Sequence, residues 1–362
     1  MKQIGVGMIG CGGIALQNHL PGLALCPEAK LVALCDTNAE VLQKAVQQTG
    51  ISAAFTNYLD MLNREEVNAV IIATPNFTHA PIALAAINAG KHVLCEKPIA
   101  MNFAESKAML DAAEKAGVRH MTAFTYRFVP AMRYMAHMVK SGFIGEPYHF
   151  RSCRLQDWGT RAVGWRQIAK LAGTGELGDM LSHRIDYAHL LVGPMTRLVA
   201  DMRRYHDVRD GQVSDLEDWV AIMAEFQRNH ATGVLESSKV ATGRGESGKS
   251  QDYCEVNGTE GTLVFQLERP LELQISKKGE TSLHTVPVPT EFLKWPGSKR
   301  DPHAGDPIMT FRYDQDMEFI QAIVQQRPCV PSFLEGAQAQ AVMDATVVST
   351  NEKRWVNIEQ VR

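Results

Sequence analysis

A lysine set between a glutamate and a proline, Glu96-Lys97-Pro98, follows directly on the apolar run His92-Val93-Leu94-Cys95. A lysine at the C-terminal tip of a buried strand stands where open α/β sheets carry out their chemistry. Pro98 ends the strand and restricts Lys97 to an extended conformation, which fixes where the ammonium points. A second pair of chemical groups lies downstream. Asp179 and His183 are four residues apart, so on a helix they share one face and can reach one ligand or each other, and Asp186 and His189 extend that face. Such a run of carboxylate and imidazole could bind a metal, but no cysteine ligand accompanies it and lysine acid/base chemistry needs none, so no metal is expected.

The third group is a glycine-rich turn, Gly10-Cys11-Gly12-Gly13-Ile14-Ala15, placed after an apolar strand and opening a helix. Glycines there let the backbone turn sharply and approach a pyrophosphate at the helix N-terminus, and Ala15 takes the place of the third, packing glycine. Asp36 ends the second strand about 20 residues further on, where a carboxylate accepts hydrogen bonds from the adenosine ribose. A carboxylate repels a 2′-phosphate, and Thr37-Asn38 offers no arginine to hold one, so NAD is expected in preference to NADP. Thr74-Pro75-Asn76 ends the next strand at the same sheet edge and is expected to line the crevice beside the nicotinamide ribose, with His79 starting the following helix. Near a cationic nicotinamide in a partly dry site, Lys97 would lose its proton more easily, which suits transfer to or from a substrate hydroxyl.

These residues need a scaffold, and the pattern predicts one. Ile4 to Ile9, Leu31 to Cys35, Val67 to Ala73 and His92 to Cys95 are short apolar runs, each next to a helical stretch at 40–49, 79–89 or 103–116. That alternation predicts a doubly wound parallel sheet, an α/β dinucleotide-binding domain over residues 1–124. Gly90 and Gly117 serve as helix stops. From about residue 125 the rhythm changes to one long helix near 175–191 and period-two segments at 198–203, 219–226, 233–238, 253–256 and 262–266, followed by helices at 313–326 and 332–350. Residues 125–362 are therefore expected to form an α+β substrate-binding and oligomerisation domain on a large, mainly antiparallel open sheet, with the C-terminal segment packing back on the first domain. Trp295 to Pro307 is too rich in Pro, Gly and charge for a regular element, so it reads as a surface loop, with a lid or interface loop as the alternative.

Composition narrows the partners. The 362 residues carry 37 Lys+Arg against 40 Asp+Glu, a balance that disfavours nucleic acid and anionic membranes. Seven cysteines without a C-x-x-C pair suit a chain kept reduced. The first strand begins almost at the initiator Met and no apolar run approaches the ~20 residues of a membrane span, so the expected location is the cytoplasm.

Together, Gly10-x-Gly12-Gly13-x-Ala15, Asp36, Thr74-Pro75-Asn76-x-x-His79, Glu96-Lys97-Pro98 and Asp179-x-x-x-His183-x-x-Asp186 resemble the Gfo/Idh/MocA oxidoreductases over essentially the whole chain. The resemblance implies that Lys97 is the acid/base in hydride transfer and that Asp179 and His183 act with it on the substrate carbon. It further implies contacts to nicotinamide or substrate from Tyr126 and Arg127, and from the pair Trp165-Arg166. Tryptophan faces stack on sugar rings and arginine donates to several hydroxyls. Glu96 is expected to serve the cofactor or orient the lysine. Leu181 departs from the glycine that such proteins commonly carry two residues after the aspartate. The expected activity is NAD-dependent oxidation of a sugar, sugar derivative or cyclitol by a homodimer or homotetramer. The alternatives are an NADP-linked anhydrosugar or dihydrodiol reductase and a dinucleotide-sensing regulator without catalysis.

Overall fold

Apolar runs and capped helices alternate through the N-terminal third, and in the computed structural model, which describes residues 3–245 and 250–361, they form a six-stranded parallel sheet. Its strands are β1 (Ile4–Ile9), β2 (Ala29–Cys35), β3 (Ala54–Phe55), β4 (Ala69–Ile72), β5 (His92–Cys95) and β6 (His120–Thr122). They are ordered β3-β2-β1-β4-β5-β6, and every pairing is parallel. Val6, Met8, Val70, Ile71, Val93 and Leu94 are fully buried, as strands covered on both faces require. The strand order reverses between β1 and β4, and ligands of such sheets bind outside the carboxyl ends at that point.

Helices α1 (Leu20–Ala24), α2 (Ala39–Thr49), α3 (Tyr58–Leu62), α4 (His79–Asn88) and α5 (Phe103–Ala116) connect these strands. Their ends follow side-chain chemistry. The Asn38 side chain accepts from the backbone N–H of Glu40 and Val41 to start α2, and Asn102 accepts from Glu105 N–H to start α5. Gly50, Gly90 and Gly117 follow α2, α4 and α5 with φ of 72°, 70° and 67°, the left-handed stop that glycine adopts without steric cost.

The chain divides into two compact units. One runs from the N-terminus to Thr125 and takes in Lys294–Gly305 and Thr310–Ala337; the other holds Tyr126–Leu293, Asp306–Met309 and Gln338–Arg362. The second unit contains α6 (Pro130–Lys140), β7 (Pro147–Leu155), α7 (Ala169–Ala172), α8 (Ser182–Leu191), β8 (Met195–Arg203), β9 (Val208–Arg209), β10 (Gln212–Val213), β11 (Trp219–Phe226), β12 (Thr232–Ser238), β13 (Gln251–Gly258), β14 (Gly261–Gln266), β15 (Glu272–Lys277), β16 (His284–Pro287) and β17 (Val356–Asn357). Nine of these strands make one sheet in the order β16-β15-β14-β13-β7-β12-β11-β8-β17, while β9 and β10 form a separate hairpin. The large sheet is antiparallel except where β12 runs parallel to β7. Phe150, Val220, Val256 and Leu263 from its strands are fully buried. Near the C-terminus lie α9 (Pro307–Thr310), α10 (Asp314–Val324) and α11 (Phe333–Glu352).

Three features differ from the sequence reading. The helix expected at 175–191 opens with a π-helical turn, Leu177–Leu181, before α8 begins. Helix α6 and strand β7 have no counterpart in the expected element list. Finally, the 295–307 segment is not surface throughout. Ser298 and Arg300 are buried, because Asp314 accepts from Ser298 Oγ at 2.7 Å, from Arg300 Nη2 at 2.7 Å and from Trp295 N–H at 2.9 Å. A carboxylate at a helix N-terminus anchors this part of the loop in the first unit.

Candidate active site

In the first unit the turn after β1 has the shape a phosphate needs. Gly10 has a φ of 88°, and a Cβ there would lie 2.5 Å from the Ala73 carbonyl oxygen, so only glycine fits. Gly12 and Gly13 are the opposite case. A Cβ on Gly12 would meet nothing within 4 Å and one on Gly13 only the Gln17 amide at 3.9 Å, so both exposed glycines face open space. Ala15 is buried beneath them and Ile14 is half-buried. The Asp36 carboxylate closes the turn. Its Oδ2 accepts from Cys11 N–H at 2.8 Å and its Oδ1 from Asn38 N–H at 2.8 Å. Each oxygen keeps lone pairs for a further donor such as a ribose hydroxyl, and Thr37 beside it is exposed. The residues present thus fit a dinucleotide.

The ends of β4 and β5 are tied to one another. Thr78 donates to Thr74 Oγ1 and to the Pro75 carbonyl, both at 2.7 Å, and Asn76 is buried in the same turn. His79, expected to reach the cofactor, is fully buried, with Nδ1 at 2.8 Å from the Pro98 carbonyl oxygen and Nε2 at 2.9 Å from that of Thr74. Burial, against those two carbonyls, holds its pKa below the ordinary histidine value. With its two nitrogens against backbone carbonyls, the ring lies between the Thr74 turn and the Pro98 carbonyl, one residue past Lys97.

Glu96 and Lys97 are partly buried. Behind them stand two residues that the sequence reading missed. His19 Nε2 lies 3.1 Å from Glu96 Oε1, and His19 Nδ1 lies 2.8 Å from Asp316 Oδ1 on α10. Glu96 Oε2 in turn accepts from Lys97 N–H at 3.2 Å. Burial alone would push the His19 pKa down, but Asp316 and Glu96 raise it to about 10. Burial pushes Glu96 up, and the hydrogen bond and charge of His19, with the charge of Lys97, hold it below the usual carboxylate range.

In the second unit the π turn and α8 carry Asp179 and His183. A π turn inserts one residue into the helical spiral, a distortion frequent at functional sites. Asp179 Oδ1 lies 3.5 Å from Arg166 Nε, and the Arg166 guanidinium sits 4.3 Å over the Trp165 ring. The Tyr126 and His183 rings meet edge to face with centroids 4.4 Å apart. The unit thus brings Trp165, Arg166 and Asp179 into one group and Tyr126 and His183 into another. The Arg127 guanidinium forks onto buried Asp186, with Nε at 2.8 Å from Oδ2 and Nη2 at 2.6 Å from Oδ1. His189, on the same helix, is held neutral, its pKa lowered to about 4 by burial and by the charge of Arg127.

A buried polar layer supports this helix. Asp252 on β13 takes both Arg184 and Arg154, the latter at 2.6 Å. The Arg184 guanidinium also lies 5.3 Å over the Tyr126 ring. Glu176, in the glycine-rich stretch before the π turn, is fully buried and accepts from Ser237 Oγ at 2.6 Å. Burial raises its pKa to about 8 against the pull of Lys239 and Ser237, with the charge of Asp179 pushing the same way. Nothing in the spacing of Glu176, Arg184, Asp252 or Lys239 marks them as partners, since strand pairing brings them together. Among the described residues no group of histidines, cysteines and carboxylates could hold a metal ion, and no helix is long and apolar enough to cross a membrane.

A parallel sheet in this order, with an open glycine turn at its switch point and a carboxylate closing that turn, defines a dinucleotide-binding protein of the nicotinamide type. Comparison with known proteins agrees. Residues 4–124 match the model of an oxidoreductase family with an NAD-binding Rossmann fold, and residues 132–264 match the GFO/IDH/MocA C-terminal domain. Levoglucosan dehydrogenase of Pseudarthrobacter phenanthrenivorans is 32 % identical over 100 % of both chains. Myo-inositol 2-dehydrogenase of Thermotoga maritima is 27 % identical, covering 98 % of this chain and 99 % of its own. A solved structure of levoglucosan dehydrogenase in complex with NADH and levoglucosan superposes with a TM-score of 0.91 at 32 % identity, covering 99 % of this chain and all of the other. The chain belongs to the GFO/IDH/MocA oxidoreductase family. It is an NAD-binding oxidoreductase acting on CH–OH groups.

Proposed function

We propose that this enzyme oxidises a secondary hydroxyl of a pyranose-type sugar or anhydrosugar with NAD, and that Lys97 is its acid/base. The observation carrying the substrate class is the Trp165-Arg166-Asp179 group: an aromatic face, a fork of N–H donors and a carboxylate acceptor, each suited to a ring bearing several hydroxyls. Full-length likeness to a dehydrogenase named for levoglucosan supports the anhydrosugar end of that range. NAD, when bound, supplies the hydride acceptor. Lys97, as the neutral amine, takes the hydroxyl proton while the C–H bond breaks, leaving a carbonyl carbon and a lysine ammonium; in the reverse direction the ammonium returns the proton. Asp179 accepts a substrate hydroxyl and, with Arg166, fixes ring orientation, while His183, edge-on to Tyr126, orients the reacting hydroxyl. His79 lies against the Thr74 and Pro98 carbonyls, and Glu96 Oε2 accepts from the Lys97 N–H.

Two measurements test this reading. A screen of anhydrosugars, pyranoses and inositols with NAD and with NADP, read by absorbance of the reduced cofactor, is expected to find turnover on the first two classes with NAD; turnover on inositols alone would overturn the substrate class. Lys97→Met is expected to lower kcat by at least about 10²-fold, the scale of general acid/base catalysis, with NAD affinity within a few fold. Near-normal turnover in that variant removes Lys97 from the chemistry.

A further inference from the structure

His19 is the one imidazole in the first unit with a carboxylate on each ring nitrogen, among the described residues. Both partners are acceptors when ionised, so both nitrogens donate and the ring carries a positive charge. The ring is fully buried. The approach is built in by a glycine: a Cβ on Gly22 would collide with the Asp316 carboxylate and lie 3.1 Å from the Tyr313 carbonyl oxygen. Asp316 is also fully buried, whereas the Glu96 side chain is 14 % exposed and carries the Lys97 N–H on its second oxygen. The result is an alternating row of charges, carboxylate, imidazolium, carboxylate, ending one peptide bond from the residue that takes the substrate proton. The Lys97 charge acts directly on Glu96. Other groups facing the row are His79 and Cys95 around Glu96, and Cys26 beside Asp316, with the charges of Glu28 and Asp314 acting on Cys26 in turn.

We propose that His19 and Glu96 are positioning residues that set the proton affinity of Lys97 in opposite senses: Glu96 favours the ammonium, and the His19 imidazolium, anchored by Asp316, partly offsets that charge. This rests on the assignment of Lys97 as acid/base. The two substitutions therefore move the same limb of the pH profile in opposite directions. Glu96→Gln keeps the shape and one of the two acceptor oxygens but removes the negative charge that interacts with Lys97, so the acidic limb of kcat/KM shifts to lower pH by about 1 unit, the scale of a neighbouring opposite charge. His19→Asn removes the imidazolium. Asp316, buried and without its cation, then takes up a proton, while Glu96 remains ionised beside Lys97, so the limb shifts to higher pH by a smaller amount. A role confined to packing lowers the active fraction at every pH and leaves the limb where it was.

The test is the pH profile of wild type, Glu96→Gln, His19→Asn and Lys97→Met, together with ¹⁵N-histidine NMR of the cofactor-free wild-type protein. The expected result is limbs displaced down and up, no turnover in Lys97→Met, and one histidine with both ring N–H groups retained at pH 8. An unmoved limb in Glu96→Gln, a limb that fails to rise in a folded His19→Asn, or a neutral His19 ring at pH 8 each overturns the proposal with the Lys97 assignment intact. If His19→Asn does not fold, the Glu96→Gln limb and the NMR spectrum decide the matter. Turnover by Lys97→Met is a different failure, since it removes the acid/base assignment and this inference with it.

Discussion

Asp36 illustrates what one residue can tell in advance. Its position about 20 residues beyond a glycine turn follows a local rule of the βαβ unit, and the structure adds that the same carboxylate holds the turn closed through Cys11 N–H. Replacing it therefore loosens the turn and, in the proposed NAD complex, also removes a ribose acceptor. Asp36→Ser is expected to raise the KM for NAD at least tenfold, about 1.4 kcal/mol, while lifting the repulsion that excludes NADP, so that the ratio of kcat/KM for the two cofactors narrows. A preserved ratio, measured side by side with both cofactors, would detach Asp36 from cofactor choice. His19 and Asp316 are the contrasting case. They lie 297 positions apart, and no periodicity or spacing links a histidine in the first helical turn with an aspartate near the C-terminus. The Glu96-Lys97-Pro98 motif stood out in the sequence, but the His19 and Asp316 charges behind Glu96 did not.

Elements were legible where one force dominated. Fully buried parallel strands read as apolar runs, and helices α2 and α5, each with an Asn cap and a glycine stop, matched their expected spans closely. Strand β7 and helix α6 were less visible. Strand β7 buries Ser152 and Arg154 beside Phe150 on one face and exposes Arg151 on the other, so polarity does not separate its faces. The π turn at Leu177–Leu181 was beyond reach because sequence periodicity is judged against 3.6 residues per turn. Helix α1 shows how an element is placed by a missing side chain. Gly22 lets α1 and α10 approach until the Asp316 carboxylate and the Tyr313 carbonyl occupy the space where a Cβ would stand. Gly22→Ala is expected to cost about 1–3 kcal/mol by overpacking and to draw Asp316 away from His19. A thermal unfolding curve reads the first effect, and an unchanged midpoint would mean that the two helices slide apart freely.

For the whole molecule, buried titratable groups determine how stability responds to pH. Folded His19 keeps its proton until about pH 10, whereas the unfolded ring loses it near 6.5. Its contribution is fully present below 6.5 and is lost as pH rises through about 10. Glu176 acts in the same direction: the folded chain holds its proton to about 8, the unfolded one releases it near 4.5, so stability falls with rising pH across that interval. Half-buried His120 and His189, lowered to about 4, act oppositely, removing stability as pH falls from 6.5 toward 4. Between pH 6.5 and 8 the folded chain therefore carries extra protons at His19 and Glu176. Each contributes a slope of about 1.4 kcal/mol per pH unit. Glu176→Gln keeps the hydrogen bond with Ser237 but has no proton to retain, so its urea midpoint is expected to decline about half as steeply over that range as that of wild type. The two curves should run parallel above about pH 9, where Glu176 is ionised in the folded and the unfolded chain alike. Identical declines from 6.5 to 8 would mean that Glu176 is already ionised in the folded protein, stabilised by Lys239, and that the layer beneath Asp179 carries a full ion pair rather than a neutral acid.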